Sequence, residues 1–233
     1  MDKNFAELKK WILETKEEPL ETMAGFFDAR IGDYEAHMAR WSGHYRWMAE
    51  HLPPRMTDLL DIGCGSGLEL DCIFERFPDL RATGVDLSGE MLAKLGRKHP
   101  DKALTLIRAD YFSFDMGKGR YDAVVSFETL HHFKVEKKTE LFGKIYESLR
   151  PGGVYLECDY IALSQEIEDT AFAECERRRR RDGIPDGVFV HFDTPLTLEH
   201  EISALKRGGF DRVEVVGFLP NDDHTPLIRA VKP

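Results

Sequence analysis

From about residue 57 onward, short apolar runs alternate with amphipathic stretches of ten to fifteen residues. The runs at 58–62 (DLLDI), 81–86 (RATGVD), 104–108 (LTLIR), 121–127 (YDAVVSF) and 153–160 (GVYLECDY) have the length and β-branched content of strands. Between them, 66–77, 88–98 and 136–149 repeat apolar residues at helical spacing, the second opening on Ser88 as N-cap. Strand and helix in strict alternation predict a parallel sheet covered on both faces, an α/β domain. Further helices are expected at about 164–181 and 197–207, the latter stopped by Gly208-Gly209. Two closing β-like runs, 211–218 and 226–232, are joined by too short a link for a parallel crossover and must pair antiparallel.

The leading part has a different texture. Residues 4–17 and 19–30 read as helices, and Trp41 to Leu52 as a third, ended by Pro53-Pro54. We therefore divide the chain into a helical lid, 1–55, and a core, 56–233, with a cap insertion at about 161–200.

Composition narrows the partners. The 233 residues carry 42 acidic and 32 basic side chains, a formal net charge of −10, which opposes binding to nucleic acid and favours a small molecule. The one basic run, Arg177 to Arg181, follows acidic residues, with Glu174 and Glu176 four positions before Arg178 and Arg180, and reads as a solvated helix end. No apolar run reaches the ~20 residues of a membrane span, and no export signal is visible. Cys64, Cys72, Cys158 and Cys175 lack C-x-x-C spacing, and reduced thiols in a cytoplasmic protein are expected. The oligomeric state is not legible.

The densest chemical signal is Leu59-Leu60-Asp61-Ile62-Gly63-Cys64-Gly65-Ser66-Gly67, a strand running through a glycine turn into a helix, where backbone can approach a ligand without a Cβ in the way. Asp86 closes the second strand, where a carboxylate can accept both hydrogens of a ribose diol. Asp110 follows the third, in Ala109-Asp110-Tyr111, placed to accept from an exocyclic amine. Together with Tyr121-Asp122-Ala123-Val124-Val125, Leu130-His131-His132 and Leu149-Arg150-Pro151-Gly152-Gly153, this set resembles the class I S-adenosylmethionine-dependent methyltransferases over residues 57–160.

That resemblance implies a doubly wound, Rossmann-like seven-stranded sheet in the order 3-2-1-4-5-7-6, the seventh strand antiparallel, and S-adenosylmethionine as cofactor with S-adenosylhomocysteine as product. It implies Gly63, Cys64 and Gly65 under the methionyl part, Asp86 on the ribose, Asp110 and Tyr111 about the adenine, and Leu87 and Met91 as apolar walls. Asp61 and the backbone of Ser126, Phe127 and Glu128 would face the amino acid end. Carboxylates at strand tips suit a ligand carrying a sulfonium and an ammonium. Tyr34, after Gly32-Asp33 in an apparent break between helices, is our one lid residue for cofactor contact.

His132 and His191 are the candidates for a general base toward a small methyl acceptor. No metal is expected: the adjacent His131 and His132 cannot easily face one ion, and no third ligand stands at a recognisable spacing. In-line methyl transfer needs alignment and desolvation rather than a nucleophilic triad, and none is found. The alternatives are a nicotinamide-dependent dehydrogenase, against which Leu68 occupies the place of the third glycine of G-x-G-x-x-G, and a non-catalytic S-adenosylmethionine-binding module.

Overall fold

The computed structural model describes residues 3–233. After the leading helices α1 (Lys3–Glu14), α2 (Met23–Arg30), α3 (Tyr34–Met38) and α4 (Ser42–His51), with a 3₁₀ turn at Ala39–Trp41, the core begins. It runs β1 (Asp58–Ile62), α5 (Leu68–Arg76), β2 (Arg81–Asp86), α6 (Gly89–Lys98), β3 (Leu104–Arg108), β4 (Tyr121–Phe127), α7 (Val135–Ser148) and β5 (Leu149–Cys158). It ends with α8 (Gln165–Arg181), α9 (Leu198–Arg207), β6 (Arg212–Gly217) and β7 (Leu227–Val231).

The seven strands form one sheet in the order β3-β2-β1-β4-β5-β7-β6, with β7 antiparallel to both of its neighbours, the topology expected from the sequence. Strand alternation feeds two cores. Leu60, Ile62, Val124 and Tyr155 meet Leu141, Phe142, Ile145 and Leu205 from α7 and α9 on one face. Leu59, Val125, Val154 and Leu156 meet Met48, Leu70 and Ile73 from α4 and α5 on the other. Central β1 and β4 are buried almost throughout and edge β3 is not, which is why their sequences read as continuous and as mixed runs.

The leading segment departs from expectation. Helix α2 starts at Met23 rather than residue 19, because Thr22 caps it by accepting from the Gly25 N–H at 3.3 Å. The preceding residues are extended and laced to the insertion: Met23 N–H donates to the Phe189 carbonyl at 2.9 Å, His191 N–H to the Glu21 carbonyl at 3.0 Å, and Thr22 bridges Val190. The break expected at Gly32-Asp33 separates α2 from α3, and Tyr34 heads α3 directly after it. The parts of the lid diverge: α1 packs Phe5 on Ala162 and Ile167, and α4 belongs to the core of the sheet.

The arginine run also differs from a solvated helix end. Arg178 is buried, bound to Glu174 at 2.8 Å and to the Thr15 hydroxyl at 2.8 Å. Arg179 donates to the carbonyls of Pro185 and Val188, and Arg181 to those of Lys16 and Glu18. Glu176 pairs with Lys134 instead of the Arg180 side chain. These guanidiniums satisfy loop carbonyls that have no ladder of their own, and so fasten the chain before α2 and the loop after α8.

Candidate active site

The glycine turn after β1 is built by three left-handed residues, Gly63, Gly65 and Gly67, at φ of 69°, 48° and 74°. A Cβ on Gly63 would lie 2.1 Å from the Thr129 hydroxyl oxygen and one on Gly67 2.3 Å from Leu95, so both the conformation and the space require glycine. The Asp86 carboxylate holds the turn: it accepts from Gly65 N–H at 2.9 Å and from Ser88 N–H at 2.8 Å. Asp110 accepts from Phe112 N–H at 2.8 Å, and the Tyr111 hydroxyl donates to the Thr129 carbonyl at 3.2 Å.

These elements surround a narrow cavity over the carboxyl ends of the parallel strands. Gly63, Gly65, Asp86, Leu87, Met91, Asp110 and Tyr111 line it from below, and Phe127, Glu128 and His132 border it beyond β4. Tyr34 closes it from the lid, its hydroxyl 3.5 Å from where a Cβ on Gly65 would stand. Three candidates stand outside the lining. Asp61 is fully buried beneath the turn, the Cys64 thiol points into the core beside Gly84, and the Ser126 hydroxyl bonds the Tyr155 hydroxyl at 2.7 Å. Sequence reasoning missed Met23, Ala24, Ser88, Thr129, Phe133 and Phe189 in the lining. Ser88 and Thr129 adjoin named residues and were open to inference, whereas Phe189 arrives only through the pairing of 21–23 with 189–191.

The electrostatics favour a cation. Burial pushes Asp61 well above the usual carboxylate range, with Glu69 and Asp86 adding to it, and lifts Glu69 and Glu128 each to about 8. Asp86 is raised for the same reason. Both Asp61 oxygens and one of Glu128 find no hydrogen-bond partner among the described residues. A cationic ligand would relieve this crowding of desolvated carboxylates. Glu128 also sits at φ 46°, a strained conformation for a side chain at the tip of β4.

A second chamber, about 410 Å³, adjoins the first and shares Phe27, Tyr34, Glu128 and His132 with it. His191 lines this chamber, stacked on Phe26 with ring centroids 3.4 Å apart. His131 Nδ1 lies 2.5 Å from Asp159, which also accepts from Leu130 N–H and Tyr160 N–H. Burial opposes a charge on His131, yet Asp159 and Asp193 raise its pKa well above the usual histidine range. Burial lowers His132 to about 3, helped by the charge on His131, and His191 to about 4. The insertion supplies Asp193 because Thr194 N–H donates to the His131 carbonyl at 2.8 Å.

Topology and site together define a doubly wound, Rossmann-like protein with an acid-lined cavity at the switch point and an adjoining chamber. A family model described as "Methyltransferase domain" matches residues 59–153. The carboxy-S-adenosyl-L-methionine synthase of Campylobacter lari is 24% identical over 71% of this chain and 74% of its own length. The phosphoethanolamine N-methyltransferase of Plasmodium falciparum is 27% identical over 63% of this chain and 55% of its own. Human N-acetylserotonin methyltransferase, solved in complex with SAM, superposes with a TM-score of 0.66 at 16% identity, covering 91% of this chain and 59% of that one. The chain thus spans little more than half of the latter two. These matches assign a methyltransferase domain to residues 59–153 and support a class I S-adenosylmethionine-dependent methyltransferase with S-adenosylmethionine as cofactor. The nicotinamide alternative falls with that assignment.

Proposed function

We propose that this chain transfers the methyl group of S-adenosylmethionine to a small-molecule acceptor seated in the second chamber. The observation that carries this reading is the wall common to the two spaces, Phe27, Tyr34, Glu128 and His132, through which a methyl group can pass from one ligand to the other. In the cofactor cavity Asp86 takes the ribose diol, and Asp110 and Tyr111 take the adenine. Leu87 and Met91 pack on it, and Tyr34 covers it. The turn Gly63-Cys64-Gly65, with Asp61 below and the backbone of Ser126, Phe127 and Glu128 beside, holds the methionyl end. The crowded carboxylates attract its ammonium and sulfonium charges.

Transfer is an in-line displacement: the acceptor atom approaches the methyl carbon opposite sulfur, a bond forms to carbon, and the sulfonium leaves as a neutral thioether. The protein's work is alignment and exclusion of water, for which the roof made by 21–23 and 189–191 is suited. His132 and His191 line the acceptor chamber and are the groups to receive an acceptor proton. A chamber of this size fits a small molecule, and the acidic chain disfavours nucleic acid. All four cysteines are free thiols, in keeping with a cytoplasmic protein, and no described helix is long and apolar enough to cross a membrane.

Calorimetry with S-adenosylhomocysteine, followed by incubation of S-adenosylmethionine with a metabolite extract and mass spectrometry, tests the reading. A methylated product with stoichiometric S-adenosylhomocysteine supports it. A carboxylated S-adenosylmethionine as product would overturn it in favour of the Campylobacter relative's chemistry. Firm cofactor binding without turnover across the extract would favour a non-catalytic module.

A further inference from the structure

The sequence offered two adjacent histidines and no third ligand, but the fold supplies one from the insertion. His131, His132 and Asp193 each bring a ligand atom within 4.8 Å of the others. His131 Nε2 lies 3.5 Å and His132 Nδ1 3.6 Å from the same Asp193 oxygen. These separations are long for hydrogen bonds. They match two donors held by one ion, since ligands bound at about 2.1 Å in tetrahedral geometry stand about 3.4 Å apart.

The surroundings have the build of a metal centre. His131 turns its other nitrogen to Asp159, giving a carboxylate–histidine pair that fixes the ring and leaves Nε2 for a cation. Asp159 is itself pinned by the N–H groups of Leu130 and Tyr160. The Phe192 carbonyl oxygen stands 3.1 Å from His132 Nδ1 and is a further oxygen donor within reach. Asp193 is about half exposed although its neighbours Phe192 and Thr194 are buried, because its carboxylate faces cavity space. The remaining coordination positions therefore open onto the acceptor chamber, as they do in catalytic sites.

We propose that His131, His132 and Asp193 bind a first-row divalent cation, with Asp159 as the residue that orients His131. Two imidazoles and a carboxylate select transition metals over calcium or magnesium. Binding moves the His132 proton from Nδ1 to Nε2, so that Nδ1 is free for the metal and the ring stays neutral, and leaves His191 as the free imidazole of the chamber. Its use rests on the methyl-transfer reading: an acceptor with a hydroxyl, thiol or carboxylate donor would ligate the ion, which makes a bound hydroxyl or thiol more acidic and holds it facing the cofactor.

Equilibrium dialysis of the chelator-treated chain against Zn²⁺, with metal analysis, and titration with Co²⁺ read by visible absorption test the site. One ion per chain is expected, with the intense bands of a tetrahedral or five-coordinate Co²⁺ centre. Asp193→Asn should reduce affinity by about 100-fold or more, and Asp159→Asn by about 10–100-fold. Asp223→Asn, in the separate Asp222-Asp223-His224 turn, should leave binding unchanged. Calorimetry with S-adenosylhomocysteine on every variant verifies folding. A wild-type chain that binds S-adenosylhomocysteine but no stoichiometric Zn²⁺ or Co²⁺ overturns the metal site and leaves the methyltransferase reading intact. Metal binding untouched by both Asp193→Asn and Asp159→Asn, or abolished by Asp223→Asn, also overturns it. Failure to bind S-adenosylhomocysteine sinks the functional reading, while the metal stoichiometry is still read independently.

Discussion

The Asp86 carboxylate accepts the Gly65 backbone N–H at 2.9 Å, so the end of β2 holds the turn that follows β1. One side chain thus shapes the turn and faces the cavity. Asp86→Ala should weaken S-adenosylhomocysteine binding by about 1–3 kcal/mol, through an unpaired diol and a loosened turn. Unchanged affinity by calorimetry would mean the ribose lies elsewhere.

Glycines at positive φ are not equivalent. Gly63→Ala meets Thr129 at 2.1 Å, whereas Gly119→Ala, at φ 57°, meets nothing within 4 Å. Gly119→Ala should lose only the ~1–2 kcal/mol of a left-handed residue. Gly63→Ala should lose more and abolish cofactor binding. Urea denaturation of the two variants, beside calorimetry, separates conformational strain from collision.

Lys138 is fully buried between Glu201 at 2.5 Å and Glu157 at 3.4 Å, joining α7, β5 and α9. Burial, the largest influence on both glutamates, raises their pKa values. Lys138→Met should destabilise by about 3 kcal/mol near pH 8, because two desolvated carboxylates lose their cation. A carboxyl whose folded pKa is raised contributes its stability below the unfolded value and loses it as pH rises through the folded one. The deficit should therefore shrink toward pH 5. A deficit independent of pH in chemical denaturation would show that the cost is packing alone.

At the opposite end of the sheet Asp58 is lowered to about 2, first by its hydrogen bond to Arg81 and, against some burial, by Arg150. Its folded pKa is depressed, so its contribution is present above the ordinary carboxylate value and is lost as pH falls through about 2. Asp58→Asn should cost about 1 kcal/mol at pH 7, as expected of a largely solvated pair, and clearly less at pH 2, where about half of the Asp58 carboxylates are protonated. Thermal melts at the two pH values check this.

Much of the sheet was legible because its strands are local: five parallel runs and the closing antiparallel pair carry their burial in their own sequence, and the observed strand bounds fall within a few residues of expectation. The cofactor cavity was legible for a related reason. Gly63, Gly65, Asp86, Asp110 and Tyr111 occupy strand ends, and in a parallel sheet all strand ends on one side converge. The side-chain directions of Cys64 and Ser126 were less open to inference, since alternation at the end of a strand yields to the turn that follows.

Sequence alone determined the alternation of elements, the glycine turn and the acidic strand tips, since each depends on neighbours a few residues away. Tertiary structure decided what the lid and insertion do: that 21–23 pair with 189–191, that Arg178 is buried, and that Asp193 stands opposite His131 and His132. Those contacts join segments more than 60 residues apart through backbone hydrogen bonds and single side chains. Such bonds leave no periodicity in the chain, because any residue can supply an N–H or a carbonyl.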